Sequence, residues 1–367
     1  SEREVAEDRW QLHVPSPSHS GLPFSMRRFA QVAGSSLCAP SVPRWRPSAG
    51  LNSVMAMALG AGACTPERSE QIPSSHRPAR SPGNARPRPV ACSSTSWLPP
   101  QANPEALEVL LVRHGESENN ITMARVFKEQ VSMGADRQAT EVAWLSQRTD
   151  DPALSPKGLQ QAEDFAAYYA EGLEHRGCVV YCSPMLRTLQ TTKPLAERTQ
   201  CKVVVRSDLF EVGGVYTLAY GGVRGGPGKC LSAEEITSRF PGYDVSGLSP
   251  HGPWYTQGWE TDAEGRSRCR ALTSWLRSDE LREKLHGRIL VIVCHGHFID
   301  MLIKALIGHP DEEAYDRPTH NNHSERPVHL VAQNTSTAYL AIGPSARVTM
   351  HSFGDISHLR CFSRGRL

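Results

Sequence analysis

Arg113 and His114 stand together in LLVRHGESENN, directly after a run of apolar residues. The arrangement recurs in VIVCHGHFI, where His295, Gly296 and His297 follow such a run, and in VVYCSPMLR, where Ser183, Pro184 and Arg187 do. Arginine forks match the oxygen geometry of phosphate. A helix opening at Ser183-Pro184 would add backbone N–H groups and a positive helix end. Like charges do not collect unless an anion neutralises them, so these residues read as a pocket for a phosphate dianion. A neutral imidazole beside guanidinium groups is also a nucleophile toward phosphorus, and the guanidinium groups stabilise charge on the transferring group. Transfer in two steps needs a group that protonates the leaving alcohol and then deprotonates water. Glu211, in SDLFEVGG after a further apolar run, stands where such a carboxyl belongs.

These side chains meet only if the runs before them are strands ending at one edge. LEVLLV (107–112), CVVYC (178–182), KVVVRS (202–207), ILVIVC (289–294) and TAYLAI (337–342) are almost wholly apolar, as strands covered on both faces should be. Between them lie helical patterns. LSPKGLQQAEDFAAYYAEGL opens with Ser155 as cap and Pro156 at the first helical position. SPMLRTLQTTKPLAERT repeats that device with Ser183 and Pro184. ETDAEGRSRCRALTSWLRSDELREKL reads as one long amphipathic stretch, and FIDMLIKALIG (298–308) ends at Gly308. Alternating strands and helices predict an α/β fold, a three-layer sandwich with a mainly parallel central sheet flanked by helices. Ligands in such sheets gather at the carboxyl ends of the strands. Residues 120–150 and 212–262 read as loops, the second as an insertion or lid beyond the sheet.

In this order the segments resemble the histidine phosphatase superfamily, the phosphoglycerate mutase-like proteins of the RHG-motif branch. Arg113-His114-Gly115-Glu116 matches its RHGE motif, Asn120 its Asn six residues after the His, LSPKGLQQA its L(S/T)xxGxxQA helix start, SPMLRTLQT its SPLxRaxqT segment, and VIVCHGHFI its second-His strand. The resemblance covers residues 107 to 343. It implies that His114 is the phosphorylated nucleophile and that Arg113, Arg187 and His295 hold the phosphoryl oxygens. Asn120, Gly115, Ser183 and the Gly296 backbone would assist, and Glu211 would handle the proton. Glu116 is read first as a structural partner. The family needs no cofactor or metal. The expected activity is that of a phosphatase, a histidine acid phosphatase-type phosphoric monoester hydrolase. The alternatives are a phosphoglycerate mutase and an inactive member serving as an interaction module. Two departures weigh against the mutase. VGGVYTLAYGG follows Glu211 where mutases carry residues like ERHYG, and 39 residues separate His114 from Leu154.

Composition limits the partners. Fourteen of the 27 prolines fall in the first hundred residues, among Ser, Ala and Arg. Little there could offset chain entropy, so 1–104 is expected to be a disordered, low-complexity segment. From Met26 it reads MRRFAQVAGSSLCAPSVPRWRPSAG, which contains no acid, as organelle transit peptides do. The compartment is then cytoplasmic, or plastid or mitochondrion if that segment targets. Residues 105–367, the expected catalytic domain, carry 29 Lys and Arg against 32 Asp and Glu, which argues against nucleic acid as a partner. The expected partner is a small phosphomonoester, with a phosphoprotein as the other substrate form. No apolar run reaches the length of a membrane span. The ten cysteines form no CxxC pair and no zinc spacing. GGVRGGPGKC (221–230) lacks the phosphate-loop pattern, since Val223 and Cys230 stand where Gly and Ser or Thr should be.

Overall fold

The computed structural model describes residues 103, 105–218, 224–308 and 328–359. The segment 1–104, residue 103 apart, lies outside them, and with it the expectations of disorder and targeting. The five apolar runs are all strands: β1 (Leu107–Arg113), β2 (Cys178–Cys182), β3 (Lys202–Val205), β7 (Ile289–Cys294) and β8 (Thr337–Ile342). Four further strands, β4 (Tyr216–Leu218), β5 (Arg224–Pro227), β6 (Tyr243–Asp244) and β9 (Val348–Asp355), complete the described set. Seven form one sheet in the order β6-β3-β2-β7-β1-β8-β9. The first five run parallel, β8 is antiparallel to β1, and β9 is antiparallel to β8. The sheet is thus mixed around a parallel centre, where β2 and β7 are buried along their whole length.

Side-chain alternation divides the core into two layers. Leu110, Val112, Val291 and Val293 point to one face, where they meet α3 (Pro156–Arg176) and α4 (Leu186–Thr199). Leu107, Val109, Leu111, Leu290 and Ile292 point to the other, against α6 (Asp262–Leu276), α7 (Asp279–Lys284) and α8 (Gly296–Ile307). Period-two side-chain direction makes this two-sided coverage possible and explains why the strands are apolar throughout.

Local chemistry departs from the sequence expectation in four places. The helix expected from Ser183-Pro184 begins at Leu186, with Met185 as its cap. Ser183 Oγ is engaged with Met185 N and His295 instead, and the Asp151 carboxylate accepts the Leu186 N–H. The long stretch 260–285 breaks into α6 and α7, because Ser278 accepts from Leu281 N and starts a new helix. Residues 120–150 are not loops. They hold α1 (Glu118–Ser132), opened by a reciprocal Ser117–Asn120 capping box, and α2 (Arg137–Leu145), capped by Asp136. Residues 212–262 carry the β4–β5 hairpin, α5 (Ala233–Arg239) and β6. The last of these pairs with β3 in the main sheet, and Ile236, Phe240, Trp254 and Tyr255 join the core.

Register brings three strand ends level. Arg113 pairs with Cys294 and Cys182 with Val293. The ladder continues past the strands, with His114 N donating to Cys294 O at 3.0 Å and Ser183 N to Val293 O at 3.1 Å. The chain after β1 is then pressed against the start of α3. Ser155 N donates to Glu116 O at 2.8 Å, and a Cβ on Gly158 would lie 1.9 Å from that same oxygen. This close approach explains the glycine in LSPKGLQQA. Gly158→Ala should therefore lower stability by at least about 1–3 kcal/mol, the usual cost of overpacking, measured as the urea midpoint. An unchanged midpoint would mean that the two segments are not in contact.

Candidate active site

His114 is buried, and its Nδ1 lies 2.6 Å from the carbonyl oxygen of Gly115. A carbonyl only accepts, so Nδ1 carries the proton and Nε2 keeps its lone pair. Gly115 N in turn donates to Thr191 Oγ1 at 3.0 Å, which fixes the peptide that fixes the ring. The His295 ring is tilted 58° to that of His114, with centroids 5.3 Å apart. Its Nε2 meets Ser183 Oγ at 2.9 Å. Ser183 Oγ also accepts from Met185 N at 3.3 Å, so the same hydroxyl ties the His295 ring to the start of α4. Burial pushes both imidazoles well below the ordinary histidine range, and Arg187 and Arg113 add to the effect. Both rings are neutral at physiological pH.

The two arginines are held by different devices. Arg113 Nη1 donates to Ala332 O at 2.6 Å. A Cβ on Gly296 would stand 3.1 Å from Arg113 Nε, so the glycine allows the guanidinium to lie against the start of α8. Arg187 projects from the first turn of α4 with Nη1 3.7 Å from Asp151 Oδ1. Burial lowers the pKa of each guanidinium, with Glu211 acting in the opposite sense on both. Among the described residues, the buried Arg113 Nε and His295 Nδ1 have no hydrogen-bond partner. A guanidinium N–H without a protein acceptor suits an anion.

Glu211 keeps a partly exposed face, but its carboxyl lies among protein atoms. Oε1 accepts from Val212 N and Phe298 N, both at 3.0 Å, and Oε2 accepts from His297 N at 3.4 Å. The carboxyl thus sits at the positive end of α8. Burial raises its pKa, while Arg187, Arg113 and these N–H groups pull it down. Two opposing influences of this kind poise a group to exchange a proton.

The structure brings Arg113, His114, Arg187, Glu211, His295 and Gly296 into one electrostatic neighbourhood. Gly115 and Ser183 serve it from behind, through the imidazoles. Asn120 is committed by Oδ1 to its capping box and to Asn334 Nδ2 at 3.3 Å. Glu116 is structural, accepting from Ser155 Oγ and Lys157 Nζ, each at 2.9 Å. Three residues escaped sequence reading. Asp151 neutralises Arg187 from a DDP stretch that resembles a loop. Thr191 orients Gly115 from inside a helix. Asn334 donates to His114 O at 3.1 Å from a segment with no periodicity. Only the acid pair 150–151, just ahead of a capped helix, offered a signal. Among the described residues, no three or more His, Cys, Asp or Glu gather where a metal ion could be held. The six described cysteines are free thiols, and no described helix is long and apolar enough to cross a membrane.

The family model described as histidine phosphatase superfamily (branch 1) matches residues 109–335. Similar solved structures include a mycobacterial glucosyl-3-phosphoglycerate phosphatase, with 20% identity over 68% of this chain and 99% of that one, at a TM-score of 0.38. A phosphoserine phosphatase from Entamoeba histolytica is 18% identical over 69% and 99%, also at 0.38. A mycobacterial hydrolase is 20% identical over 68% and 99%, at 0.39. No curated protein matches the chain.

Burial drives the Asp151 carboxyl up to about 6 from an ordinary 3.8, against the pull of Arg187. A carboxyl raised in the folded state favours folding below its unfolded pKa, and that contribution is lost as pH climbs through the folded value. Wild type should therefore lose stability relative to Asp151→Asn between about pH 4 and 6, by on the order of 2–3 kcal/mol. Urea titrations of both proteins across that window measure it. A pH-independent difference would show that Asp151 is already ionised like an exposed acid.

Proposed function

The chain belongs to the histidine phosphatase superfamily, and on that premise we propose that it hydrolyses a phosphomonoester through a phosphohistidine at His114. The observation that carries this reading is the neutral His114 ring, with its proton fixed on Nδ1 and Nε2 bare, beside Arg187, Arg113 and His295. The Nε2 lone pair forms a bond to phosphorus as the bond from phosphorus to the alcohol oxygen breaks. Glu211, protonated, gives its proton to that oxygen. Water then enters, yields a proton to the Glu211 carboxylate, and its oxygen displaces Nε2 from phosphorus. Ester and water become alcohol and inorganic phosphate, and both side chains return to their starting states. Arg113, Arg187 and His295 face the non-bridging oxygens throughout, where preorganised positive groups lower the barrier.

Hydrolysis is favoured over internal transfer between two positions of one substrate by the chain after Glu211. Val212, Gly213 and Gly214 follow it, and a side chain on either glycine would collide with Trp259 or Tyr255. The basic and hydroxylated residues with which a mutase grips a carboxylate are missing there. The substrate class is a small phosphomonoester, and a phosphorylated side chain of a protein presents the same group.

Acid-labile phosphoenzyme trapped by rapid mixing with a labelled phosphomonoester should appear in the wild type and vanish in His114→Ala, whose circular dichroism should stay native. Labelling that survives in the variant would assign the nucleophile elsewhere. Arg187→Ala should reduce turnover by about 10²- to 10³-fold, the scale of one preorganised donor. A loss under about fivefold would remove Arg187 from the reacting centre, since even one such donor is worth more. Inorganic phosphate should accumulate with 3-phosphoglycerate or another ester as substrate. Isomerisation of 3-phosphoglycerate without phosphate release would point to the mutase instead.

A further inference from the structure

Arg268, on α6, is bound to both pieces of chain that hold Glu211. Its Nη1 donates to the carbonyl oxygens of Asp208 and Phe210, at 2.9 and 3.0 Å, and Phe210 immediately precedes the acid. Its Nε and Nη2 meet Glu260 as a fork, at 2.8 and 2.6 Å. The guanidinium carbon lies 3.6 Å from the centroid of the Phe210 ring and 4.7 Å from that of Phe298. Phe298 supplies one of the N–H groups that Glu211 accepts. The fork is almost fully withdrawn from solvent, with side-chain exposures of 12% for Arg268 and 8% for Glu260.

A buried ion pair is weak evidence for stability, because desolvation offsets its attraction. Here two guanidinium N–H groups hold the carbonyls just before Glu211, two hold Glu260, and the guanidinium packs on the rings of Phe210 and Phe298. Glu211 has to hold its carboxyl against an oxygen that changes partners during the reaction. It lies outside the strands, between β3 and the β4–β5 hairpin, at the start of a turn closed by Gly214 N donating to Glu211 O at 2.9 Å. A fork with both carbonyls on one nitrogen fixes the direction in which the next side chain leaves the backbone. A lysine could not, since its ammonium is one point charge on a flexible stem. Glu260 in turn is tied by its N–H to Gly213 O at 3.1 Å, so the clamp closes on both sides of the acid.

We propose that Arg268 is a positioning residue for proton transfer by Glu211, held in that task by Glu260. The inference rests on Glu211 as the proton donor of the reaction described above. It makes Arg268 matter most where the leaving alcohol needs a proton most.

The test is the dependence of kcat/KM on the leaving group, over substituted phenyl phosphates from 4-nitrophenyl to 4-methoxyphenyl. This parameter covers the steps up to release of the phenol and excludes hydrolysis of the phosphoenzyme. Arg268→Met and Glu211→Gln should both steepen the decline toward poorer leaving groups. For Arg268→Met the 4-methoxyphenyl ester should lose about tenfold more than the 4-nitrophenyl ester, a part of what a general acid supplies. A partly misfolded protein lowers every ester by one factor and leaves the slope unchanged. If Glu211→Gln steepens the slope and Arg268→Met does not, the positioning role is wrong while the proton donor stands. If Glu211→Gln leaves the slope unchanged, the assignment of the proton donor fails and the inference with it. Should Arg268→Met not fold, Glu260→Gln in the same series decides, with a steeper slope expected and an unchanged slope overturning the proposal.

Discussion

Everything in this molecule depends on keeping one imidazole uncharged among positive groups. Burial already disfavours a charged ring at position 114, and two guanidinium groups nearby make a third positive charge costlier still. Their repulsion is tolerable because each has a local answer. Arg113 leans on the Ala332 carbonyl, Arg187 on Asp151, and both feel Glu211. The result is a ring with its proton on one nitrogen and a bare lone pair on the other.

That arrangement is built from backbone as much as from side chains. Level strand ends place residues 114, 183 and 295 side by side, and the ladder runs one residue further into the site. The Gly115 carbonyl sets the tautomer of His114, while Thr191 sets Gly115. Gly158 and Gly296 are small so that a carbonyl and a guanidinium can come close. Mutual support of this sort leaves few ways for one element to shift without another, as expected where interiors are close-packed.

Strands β1, β2, β3, β7 and β8 were legible because each is apolar on both faces, and α3 was legible because Ser155 and Pro156 open it. His114 and the two arginines were legible as candidates because they lie at or just after the ends of those strands or of the turn that follows one. What stayed hidden depends on partners distant in sequence. Ser183-Pro184 looks like a helix start because Ser-Pro usually is one, yet the Ser183 hydroxyl meets His295, 112 residues away in sequence, and the Asp151 carboxylate accepts the Leu186 N–H in its place. Helices α1 and α2 were hidden because they bury little, with Val126 the one fully buried residue of α1 and with Met123, Val131 and Val142 exposed. Strand β6 is two residues long, too short to show any period. Arg268 and Glu260 lie eight residues apart and look like ordinary surface charges until Phe210 and Phe298 close over them.

The protonation state of the ring at 114 is the most direct measure of this account. Nitrogen-15 NMR of the histidine-labelled protein reports, for each ring, which nitrogen bears hydrogen and where it titrates. The account predicts a neutral ring at His114 with hydrogen on Nδ1, unprotonated Nε2, and no titration until pH falls well below 6.5. Hydrogen on Nε2 at neutral pH, or an ordinary titration near 6.5, would contradict it.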